Sequence, residues 1–404
     1  MKIMIVGGGP AGFFAAISAA KNYPQHEVML IEKNRQLLSK VRISGGGRCN
    51  VTHACFDPSI LIKSYPRGGN ELRGPFTRFQ ASDTIRWFEE KGVKLKIEED
   101  GRMFPTTDQS ETIIQCLQKH AQLHGVKVVI EKGLNKIIPQ KEGFLVELSD
   151  GTEAFCHRIL LSTGSHPKTY EIVQKLGHTV IPLVPSLFTF NIPDSPLVEL
   201  AGVACPYVKV SLPELKMEQA GPVLITHWGI SGPAVLKLSA WAARELHALN
   251  YRTHVVLDWF PNDSTEQLRS SLLEAKNVNK LKFVSSESPL ILPKQLWKKI
   301  VEMAGINVEQ RWSHLSNKQL QQLLLNLKEM QLTIDGKTTY KQEFVTCGGI
   351  DLKEVNFKKM ESRLIPGIFF AGEILNIDGI TGGFNFQNAW TTGWIAGHAI
   401  GEPV

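Results

Sequence analysis

Hydrophobic and polar positions at the start of the chain follow first a strand pattern and then a helix pattern. Residues 1–6 form an apolar run of strand length, three glycines follow, and residues 11–20 form an alanine-rich stretch with helical character. A second strand-like run, 26–31, ends in Glu32. A strand, a glycine turn, a helix and a second strand in this order predict one right-handed βαβ unit.

Beyond this unit the pattern changes twice. Glycines at 45–47 and at 68, 69 and 74 predict long loops. After about residue 185 short β-rich runs are separated by prolines and glycines, and from about residue 263 apolar residues recur at helical spacing. Past residue 340 the chain is glycine-rich and strand-like again. We therefore predict one α/β domain, formed by 1–186 and 341–404, that is interrupted by a barrel-like segment, 187–260, and a helical segment, 261–340.

Individual elements follow from the same patterns. In the insert, Ser316 with Gln319 three residues later forms a capping box ahead of a leucine stripe, which predicts the start of a helix. The other predicted elements are helices at 82–90, 109–124 and 387–399 and strands at 127–130, 145–148, 158–161, 187–192, 207–212, 223–226 and 253–257.

Composition narrows the class of protein. Of 404 residues, 43% are hydrophobic and 21% charged, which is typical of a soluble globular protein and excludes a collagen, a disordered chain or a small disulfide scaffold. No apolar run approaches the roughly 18–20 residues that span a bilayer, and the N-terminus does not resemble a secretory signal. Six cysteines show no CxxC pair and no zinc spacing. We expect a cytoplasmic protein with reduced thiols, no metal and no membrane contact.

Net charge is +6 and unevenly distributed. Residues 261–341 contain 12 Lys or Arg against 8 Asp or Glu, so this stretch holds four of the six excess charges. Such a basic face is suited to RNA or another polyanion. A solvated lysine-rich helical surface explains the same numbers, and both interpretations stay open here.

Residues 7–12 (Gly-Gly-Gly-Pro-Ala-Gly) are candidates for dinucleotide binding, because they fit G-x-G-x-x-G directly after a strand and at the start of a helix. Gly7 permits the tight turn, Gly9 lets backbone approach a pyrophosphate, and Gly12 lets the helix pack against the strand. The pyrophosphate would lie on the helix N-terminus, and Glu32 would accept hydrogen bonds from ribose hydroxyls. The residues assigned to the dinucleotide are Gly7, Gly9, Pro10, Ala11, Gly12, Glu32 and Lys33.

A second candidate cofactor-binding segment, near the C-terminus, distinguishes FAD from NAD. A strand at 367–371 ends in Gly372-Glu373, where a carboxylate suits a ribityl hydroxyl. Residues 378–385 then open a second helix whose N-terminus can stabilise negative charge on a reduced flavin. The residues assigned here are Gly372, Glu373, Gly383, Phe384 and Asn385. No second complete nucleotide turn exists in the sequence, so we expect one tightly bound FAD, with NAD(P)H as a transient external reductant.

Six motifs stand in order along essentially the whole chain: 7–12, Glu32, 40–52, 101–105, 226–234 and 372–385. Together they resemble the HI0933-like flavoproteins, also described as the BaiN/RdsA (YhiN) family or as aminoacetone-oxidase-like proteins. The resemblance implies a glutathione-reductase-type FAD-binding, Rossmann-like α/β domain split by a barrel-like and helical (α+β) insert. It implies reduction of activated C=C bonds, in steroid-like substrates or in a uracil ring of ribosomal RNA, or amine oxidation.

Three further segments are expected at the cofactor. In Ser44–Asn50 the glycines let backbone approach a phosphate or flavin edge, Arg48 adds charge and Asn50 adds an amide. In the fold that the resemblance implies, the turn at 163–164 lies against the dinucleotide, and backbone at Leu134 contacts the adenine. The residues assigned are Gly47, Arg48, Cys49, Asn50, Leu134, Thr163 and Gly164. For Cys49, a packed thiol is favoured over a nucleophile.

Catalytic roles are assigned to His227, Asn50 and Arg102. His227 lies in the motif that the resemblance places at the flavin, and it is the candidate proton donor, with a hydrogen-bonded structural histidine as the alternative. A water held by Asn50 is a second candidate. Arg102 is suited to an anionic or carbonyl-bearing substrate, with a salt bridge to Glu98 or Asp100 as the alternative.

The leading hypothesis is an NAD(P)H-driven, FAD-dependent reductase of an activated C=C bond, in a uracil ring of ribosomal RNA or in a small enone. RNA would be contacted by lysines of the helical insert: Lys276, Lys280, Lys282, Lys298 and Lys299. A flavin amine oxidase and a non-catalytic binding protein on a flavoprotein fold are the alternatives. The sequence does not indicate an oligomeric state.

Overall fold

A computed structural model describes residues 1–338 and 345–403 and divides the chain into two compact units. The first unit consists of Met1–Val184 and Lys341–Val404, and the insert unit is Pro185–Tyr340. Each unit has its own buried hydrophobic core.

Helices and strands alternate in the first part of the chain. Residues 1–186 contain strands β1 (Lys2–Val6), β2 (Glu27–Ile31), β3 (Thr52–His53), β4 (Leu95–Ile97), β5 (Arg102–Pro105), β6 (Lys127–Val129), β7 (Leu134–Gln140), β8 (Gly143–Leu148), β9 (Glu153–Cys156), β10 (Arg158–Leu161) and β11 (Val180–Ser186), and helices α1 (Pro10–Asn22), α2 (Ser39–Gly47), α3 (Pro58–Leu61), α4 (Gly69–Arg78), α5 (Ala81–Glu89), α6 (Ser110–Leu123) and α7 (Pro167–Lys175).

The insert and the C-terminal segment complete the inventory. Residues 187–338 contain strands β12 (Thr189–Asn191), β13 (Ala204–Leu212), β14 (Met217–Thr226), β15 (Gly229–Ser231), β16 (Arg252–Asp258), β17 (Met330–Asp335) and β18 (Lys337–Thr338), and helices α8 (Pro233–Trp241), α9 (Ala243–Ala248), α10 (Thr265–Val278), α11 (Lys294–Met303) and α12 (Asn317–Lys328). Residues 345–403 contain β19 (Val345–Ile350), β20 (Val355–Asn356), β21 (Glu361–Ser362), β22 (Ile368–Phe370) and α13 (Phe384–Ala399).

The main sheet of the first unit has the strand order β20-β21-β22-β10-β1-β2-β6. Strands β22, β10, β1, β2 and β6 are parallel, and Val6 is in register with both Ile31 and Leu161. Because parallel strands end at the same edge of a sheet, the residues after β1, β2, β10 and β22 are brought together there. This arrangement confirms the predicted βαβ unit and the α/β fold class.

Helices α1 and α13 pack closely against each other. A Cβ atom at Gly393 would lie 2.5 Å from the Ala11 carbonyl oxygen, and one at Gly397 would lie 2.4 Å from that of Ala15. Only glycine therefore fits at these two crossing points. Trp390, on α13, is fully buried and donates its indole N–H to the Val51 carbonyl at 2.9 Å.

The insert unit contains a seven-stranded antiparallel sheet with the order β17-β16-β13-β14-β15-β12-β18. Strands β17 and β18 come from the segment 261–340, which the sequence predicts to be helical. That prediction is therefore wrong beyond residue 329. The signal was present: Met330, Leu332 and Ile334 are buried while the residues between them are exposed, which is the two-residue period of a strand. Helices α10, α11 and α12 occupy the rest of the segment.

A second prediction fails at the glycines 68, 69 and 74, which lie at or in helix α4 rather than in a long loop. Gly68 precedes the helix in the left-handed conformation (φ +77°), and a Cβ atom at Gly69 would lie 2.5 Å from the Ile62 carbonyl oxygen. Leu72 and Phe76 bury one face of the helix. Tertiary packing thus overrides the low helix propensity of glycine.

Two kinds of feature are absent from the described residues, 1–338 and 345–403. In that part of the chain no helix is long and apolar enough to cross a membrane. The same residues include no group of three His, Cys, Asp or Glu side chains that could hold a metal ion.

Candidate functional site

The glycine turn between β1 and α1 has the steric features that a dinucleotide requires. Gly7 adopts φ +109°, and a Cβ atom at Gly12 would lie 2.0 Å from the Gly7 carbonyl oxygen. A Cβ atom at Gly9 would meet nothing within 4 Å, so the space beside that backbone is open. Helix α1 begins at Pro10 without a side-chain cap. Its N-terminal N–H groups can therefore bind an anionic group such as a pyrophosphate.

Glu32 lies at the end of β2, beside this turn. One carboxylate oxygen accepts a hydrogen bond from the Gly8 N–H at 2.8 Å, and the other accepts from the Asn34 N–H at 2.9 Å. Each oxygen retains a lone pair for a ribose hydroxyl. Glu32 therefore stabilises the turn and can still bind a ribose.

The other residues assigned to the adenosine end surround Glu32. A Cβ atom at Gly133 would lie 3.3 Å from the Lys33 Cβ, which places Lys33 beside the start of β7. Leu134, the first residue of that strand, is buried. Burial and the Lys33 charge lower the pKa of His166, so the loop after β10 also reaches this region. The predicted residues are thus brought together.

The loop that follows β10 carries an unsatisfied hydroxyl. The buried Oγ1 atom of Thr163 has no hydrogen-bond partner among the described residues. A Cβ atom at Gly164 would lie 3.5 Å from a carboxylate oxygen of Glu373, which follows β22. A buried hydroxyl without a partner is unusual in proteins, and a bound ligand is one way to satisfy it.

Glu373 is the central residue of the second candidate cofactor-binding segment, near the C-terminus. Its carboxylate forms an ion pair with Lys40 and accepts a hydrogen bond from the Thr346 N–H at 3.1 Å. Tyr170 donates its hydroxyl to the Glu373 carbonyl at 3.3 Å, and burial raises the pKa of Tyr170. A Cβ atom at Gly372 would lie 3.0 Å from the Ala11 Cβ. The glycine turn at 7–12 and the segment around Glu373 are therefore adjacent within the first unit.

The segment 44–50 leaves helical geometry at its glycines. Gly45, Gly46 and Gly47 all have positive φ angles, and a Cβ atom at either of the last two would meet nothing within 4 Å. Open space beside the backbone again leaves room for a ligand. Cys49 is completely buried, and burial raises the pKa of its thiol to about 12. Because a thiolate is the reactive form, the geometry agrees with a packed cysteine.

Asn50 links this segment to the start of α13. Its side-chain amide donates to the carbonyls of Thr52 (3.0 Å) and Met103 (3.3 Å), and its oxygen accepts from the Gly383 N–H at 3.0 Å. Asn385 closes the same loop through two 2.9 Å hydrogen bonds with Gly379. These contacts give Asn50 a positioning role, because both of its amide groups are engaged with backbone.

Helix α13 begins as α1 does, with glycine and without a side-chain cap. Gly383 adopts φ +93°, and a Cβ atom there would lie 2.7 Å from the Thr52 backbone. The Phe384 ring stacks on His53 with ring centroids 4.7 Å apart. The start of α13 is thus held by the segment around β3.

Arg48 and Arg102 both form ion pairs. Arg48 contacts Glu98 at 2.6 Å and lies 4.0 Å from the centre of the Phe104 ring, and the Glu98 hydrogen bond raises the Arg48 pKa. Arg102 contacts Asp100 at 2.6 Å and Glu98 at 3.2 Å. The salt bridges that were the alternative for Arg102 are therefore present.

His227 belongs to the insert unit. It lies with Trp228 in the exposed turn between β14 and β15. The Trp228 side chain is 63% exposed, and its backbone carbonyl accepts a hydrogen bond from Ile192 at 2.7 Å. This turn presents an imidazole and an indole ring on the surface of the unit.

Two features near the site were not found from the sequence. Arg67 forms a bidentate ion pair with Asp378, which is completely buried, and so ties the segment before α4 to the loop before α13. Thr346 lies in β19 beside Glu373. The local sequence signal for the second is the Thr-Cys-Gly-Gly stretch at 346–349, which does not fit G-x-G-x-x-G.

These features define the class of protein: an FAD-dependent oxidoreductase. The residues fit the cofactor, because two glycine-begun helix N-termini, two carboxylates and a buried unsatisfied hydroxyl lie in one unit. The model of the HI0933-like protein Rossmann domain family matches residues 1–399, and the chain belongs to this family. The resemblance seen in the sequence is thereby confirmed.

Relatives with assigned activities match over nearly their full length. The chain is 28% identical to a 3-dehydro-bile acid delta(4,6)-reductase of Clostridium scindens, over 99% of each chain. It is also 28% identical to a ribosomal RNA dihydrouridine synthase of Escherichia coli, over 97% of this chain and 96% of the relative.

Solved structures show the same fold. A 3-ketosteroid-delta4-(5alpha)-dehydrogenase from Rhodococcus jostii matches with a TM-score of 0.51 and 13% identity, over 99% of this chain and 96% of that one. A flavocytochrome c3 fumarate reductase matches with a TM-score of 0.52 and 15% identity, over 99% and 78%. At these identities the likeness concerns the fold alone.

Proposed function

We propose that the protein takes electrons from NAD(P)H and reduces a C=C bond conjugated to a carbonyl group, with the uracil ring of ribosomal RNA as the favoured substrate. The observation that supports this most is the pair of relatives at 28% identity over almost the whole chain. A 3-oxo-Δ4,6 steroid and a uracil ring share the conjugated C=C–C=O group. The uracil ring is favoured because exposed lysines of the insert are suited to a polyanion such as RNA.

The first unit would hold FAD at the residues described above. Bound FAD supplies the two-electron reduction. The N-terminus of α1 and Glu32 would bind the dinucleotide, and Glu373 would position its flavin half. Asn50 would fix the loop at Gly383 and so hold the N-terminus of α13 in one orientation. The work of these residues is to orient the cofactor and to exclude water.

His227 is the proposed proton donor to the carbon next to the site of reduction. An imidazole is the side chain most often used for proton transfer, and the exposed turn leaves His227 accessible. Arg102, held by Glu98 and Asp100, is better suited to positioning than to direct substrate binding. A His227→Gln variant should bind FAD normally and be reduced normally by NAD(P)H, but turn over substrate slowly.

RNA contact is proposed for three lysines of the insert. Lys280, Lys282 and Lys298 are exposed. By contrast, Lys276 donates to the Leu315 carbonyl at 2.7 Å, and Lys299 pairs with Glu199 at 3.0 Å. The two engaged lysines therefore have a structural role. The three exposed ones are available to phosphates, and the contact of Lys282 with Glu287, at 4.0 Å between two exposed side chains, is weak enough to be exchanged for a phosphate.

The RNA contact is tested by replacing the three exposed lysines with alanine. We expect weaker binding of ribosomal RNA fragments and a shallower salt dependence, because fewer counterions are released. The matched control removes three exposed lysines of the first unit, Lys119, Lys141 and Lys175. Equal RNA affinity in the two triple variants would contradict the proposed surface.

The reaction is tested by anaerobic stopped-flow reduction of the purified protein with NADH and NADPH. Reoxidation that requires RNA, with dihydrouridine formed in stoichiometric amount, is the expected result. Reoxidation by a small enone but not by RNA would retain the reductase chemistry and overturn the RNA substrate. Reduction by amines, with peroxide formed in air, would overturn both.

A further inference from the structure

Thr346 carries a buried hydroxyl that is unsatisfied within the part of the chain that the structure describes. The residue is 2% exposed, and its Oγ1 atom has no hydrogen-bond partner among the described residues. Neighbouring buried threonines differ: the Thr392 hydroxyl donates to the Asn388 carbonyl at 2.6 Å and accepts from the Gly372 N–H at 2.9 Å. Because burying an unpaired hydroxyl is costly, the exception requires an explanation.

The position of Thr346 points to the cofactor. Its backbone N–H donates to Glu373 at 3.1 Å, and the same carboxylate contacts Lys40 and lies beside Gly164. Thr163, next to Gly164, has the other unsatisfied threonine hydroxyl of the described chain. Thr163 and Thr346 thus have buried, unpaired hydroxyls, and backbone at Gly164 and at Thr346 lies beside the same Glu373 carboxylate.

We propose that Thr346 is a cofactor-binding residue, whose hydroxyl forms a hydrogen bond with a polar atom of bound FAD beside Glu373. The apo protein leaves this hydroxyl unsatisfied, and binding of FAD satisfies it. Thr163 would act in the same way from the neighbouring loop. The inference requires FAD but does not depend on the substrate or on the RNA contact.

The test compares Thr346→Val with Thr392→Val. Valine keeps the shape of threonine and removes only the hydroxyl. At Thr346 it should leave the melting temperature of the apo protein unchanged or higher, and weaken FAD binding by about 3- to 10-fold, the usual effect of one hydrogen bond. At Thr392, where two hydrogen bonds are lost, valine should lower the melting temperature of the apo protein.

Two measurements decide the outcome: the melting temperature of the FAD-free protein, and the FAD dissociation constant from quenching of flavin fluorescence. A Thr346→Ser variant should restore the wild-type affinity for FAD. Unchanged FAD affinity in Thr346→Val would overturn the proposal. So would a Thr346→Val protein that fails to fold or that melts earlier than wild type, because the hydroxyl would then have a structural role.

Discussion

Two helices of the first unit and two helices of the insert unit begin in opposite ways. Helices α1 and α13 of the first unit follow Gly9 and Gly383, and neither has a side-chain cap. Helices α10 and α12 of the insert follow Ser264 and Ser316, and each has a complete capping box. In α10, for example, the Gln267 N–H donates to the Ser264 hydroxyl at 3.2 Å.

The difference reflects what each helix N-terminus binds. A capping box satisfies N–H groups within the protein and leaves few for a ligand. A glycine start leaves the N–H groups and the positive end of the helix dipole available to an anion. Helices α10 and α12 are therefore complete without a ligand, whereas α1 and α13 have N–H groups that bound FAD would satisfy.

Among the substitutions that test this contrast, Gly12→Ala is expected to have the largest effect on FAD affinity. The new Cβ atom would lie 2.0 Å from the Gly7 carbonyl oxygen and 2.8 Å from the Ser162 hydroxyl, so the turn cannot keep its shape. We expect FAD affinity to fall by more than about 100-fold, or more than ~2.7 kcal/mol. Absorbance at the flavin band of the purified protein measures the retained cofactor.

Gly9→Ala is the matched control, because its Cβ atom enters open space and its φ of −91° suits alanine. This variant should melt as the wild-type apo protein does, while FAD binding is weakened by the methyl group beside the pyrophosphate. If Gly9→Ala bound FAD as wild type does, the pyrophosphate would not lie at this turn.

A medium effect is expected from removal of a cap in the insert. Ser316→Ala should lower the free energy of unfolding by about 1 kcal/mol, because the Gln319 N–H loses its acceptor. FAD affinity should not change. Urea unfolding measures the first quantity, and Ser316→Asn, which can still cap the helix, should retain most of the stability. A loss of FAD affinity equal to that of Gly12→Ala would contradict the contrast between the units.

The smallest effect concerns His178, a buried side chain of the first unit with both ring nitrogens partnered. It contacts Glu354 at 3.0 Å and Ser362 at 3.0 Å. The Ser362 hydroxyl already accepts two backbone N–H groups, from Leu364 and Ile365, so it donates its proton to the ring. The Phe370 ring packs against the imidazole with centroids 5.0 Å apart.

Burial lowers the pKa of His178, and the Glu354 carboxylate only partly opposes this shift. The unfolded chain therefore binds more protons than the folded protein below about pH 6.5, and stability falls as the pH decreases from there toward the lower folded pKa. The gap in melting temperature between wild type and His178→Gln should be smaller at pH 5.5 than at pH 7.5. A constant gap would show that His178 does not titrate.

Local patterns were sufficient for much of the first unit. The strand, glycine turn, helix and carboxylate of the dinucleotide motif lie within residues 1–32, so a local pattern predicts them. In the insert unit, the Ser316 capping box lies within four residues and is predicted in the same way. The predicted strand 158–161 was confirmed to the residue because its apolar run lies wholly inside the sheet.

Contacts between distant segments could not be predicted in the same way. The ion pair between Arg67 and Asp378 spans 311 residues, and the contact of Asn50 with Gly383 spans more than 300. Each residue has an ordinary local pattern, and only the fold brings the partners together. The salt bridges of Arg102 have partners nearby in the sequence, and they were predicted as the alternative to substrate binding. Local spacing alone could not decide between these two roles.

Hydrogen–deuterium exchange with and without FAD tests the central contrast most directly. The account predicts that FAD slows exchange in peptides that cover residues 8–13 and 383–388, the starts of α1 and α13. Peptides that cover 264–268 and 316–320, the capped starts of α10 and α12, should exchange equally in both states. Equal protection of all four helix starts, or none at α1 and α13, would contradict the claim that FAD completes the uncapped helices.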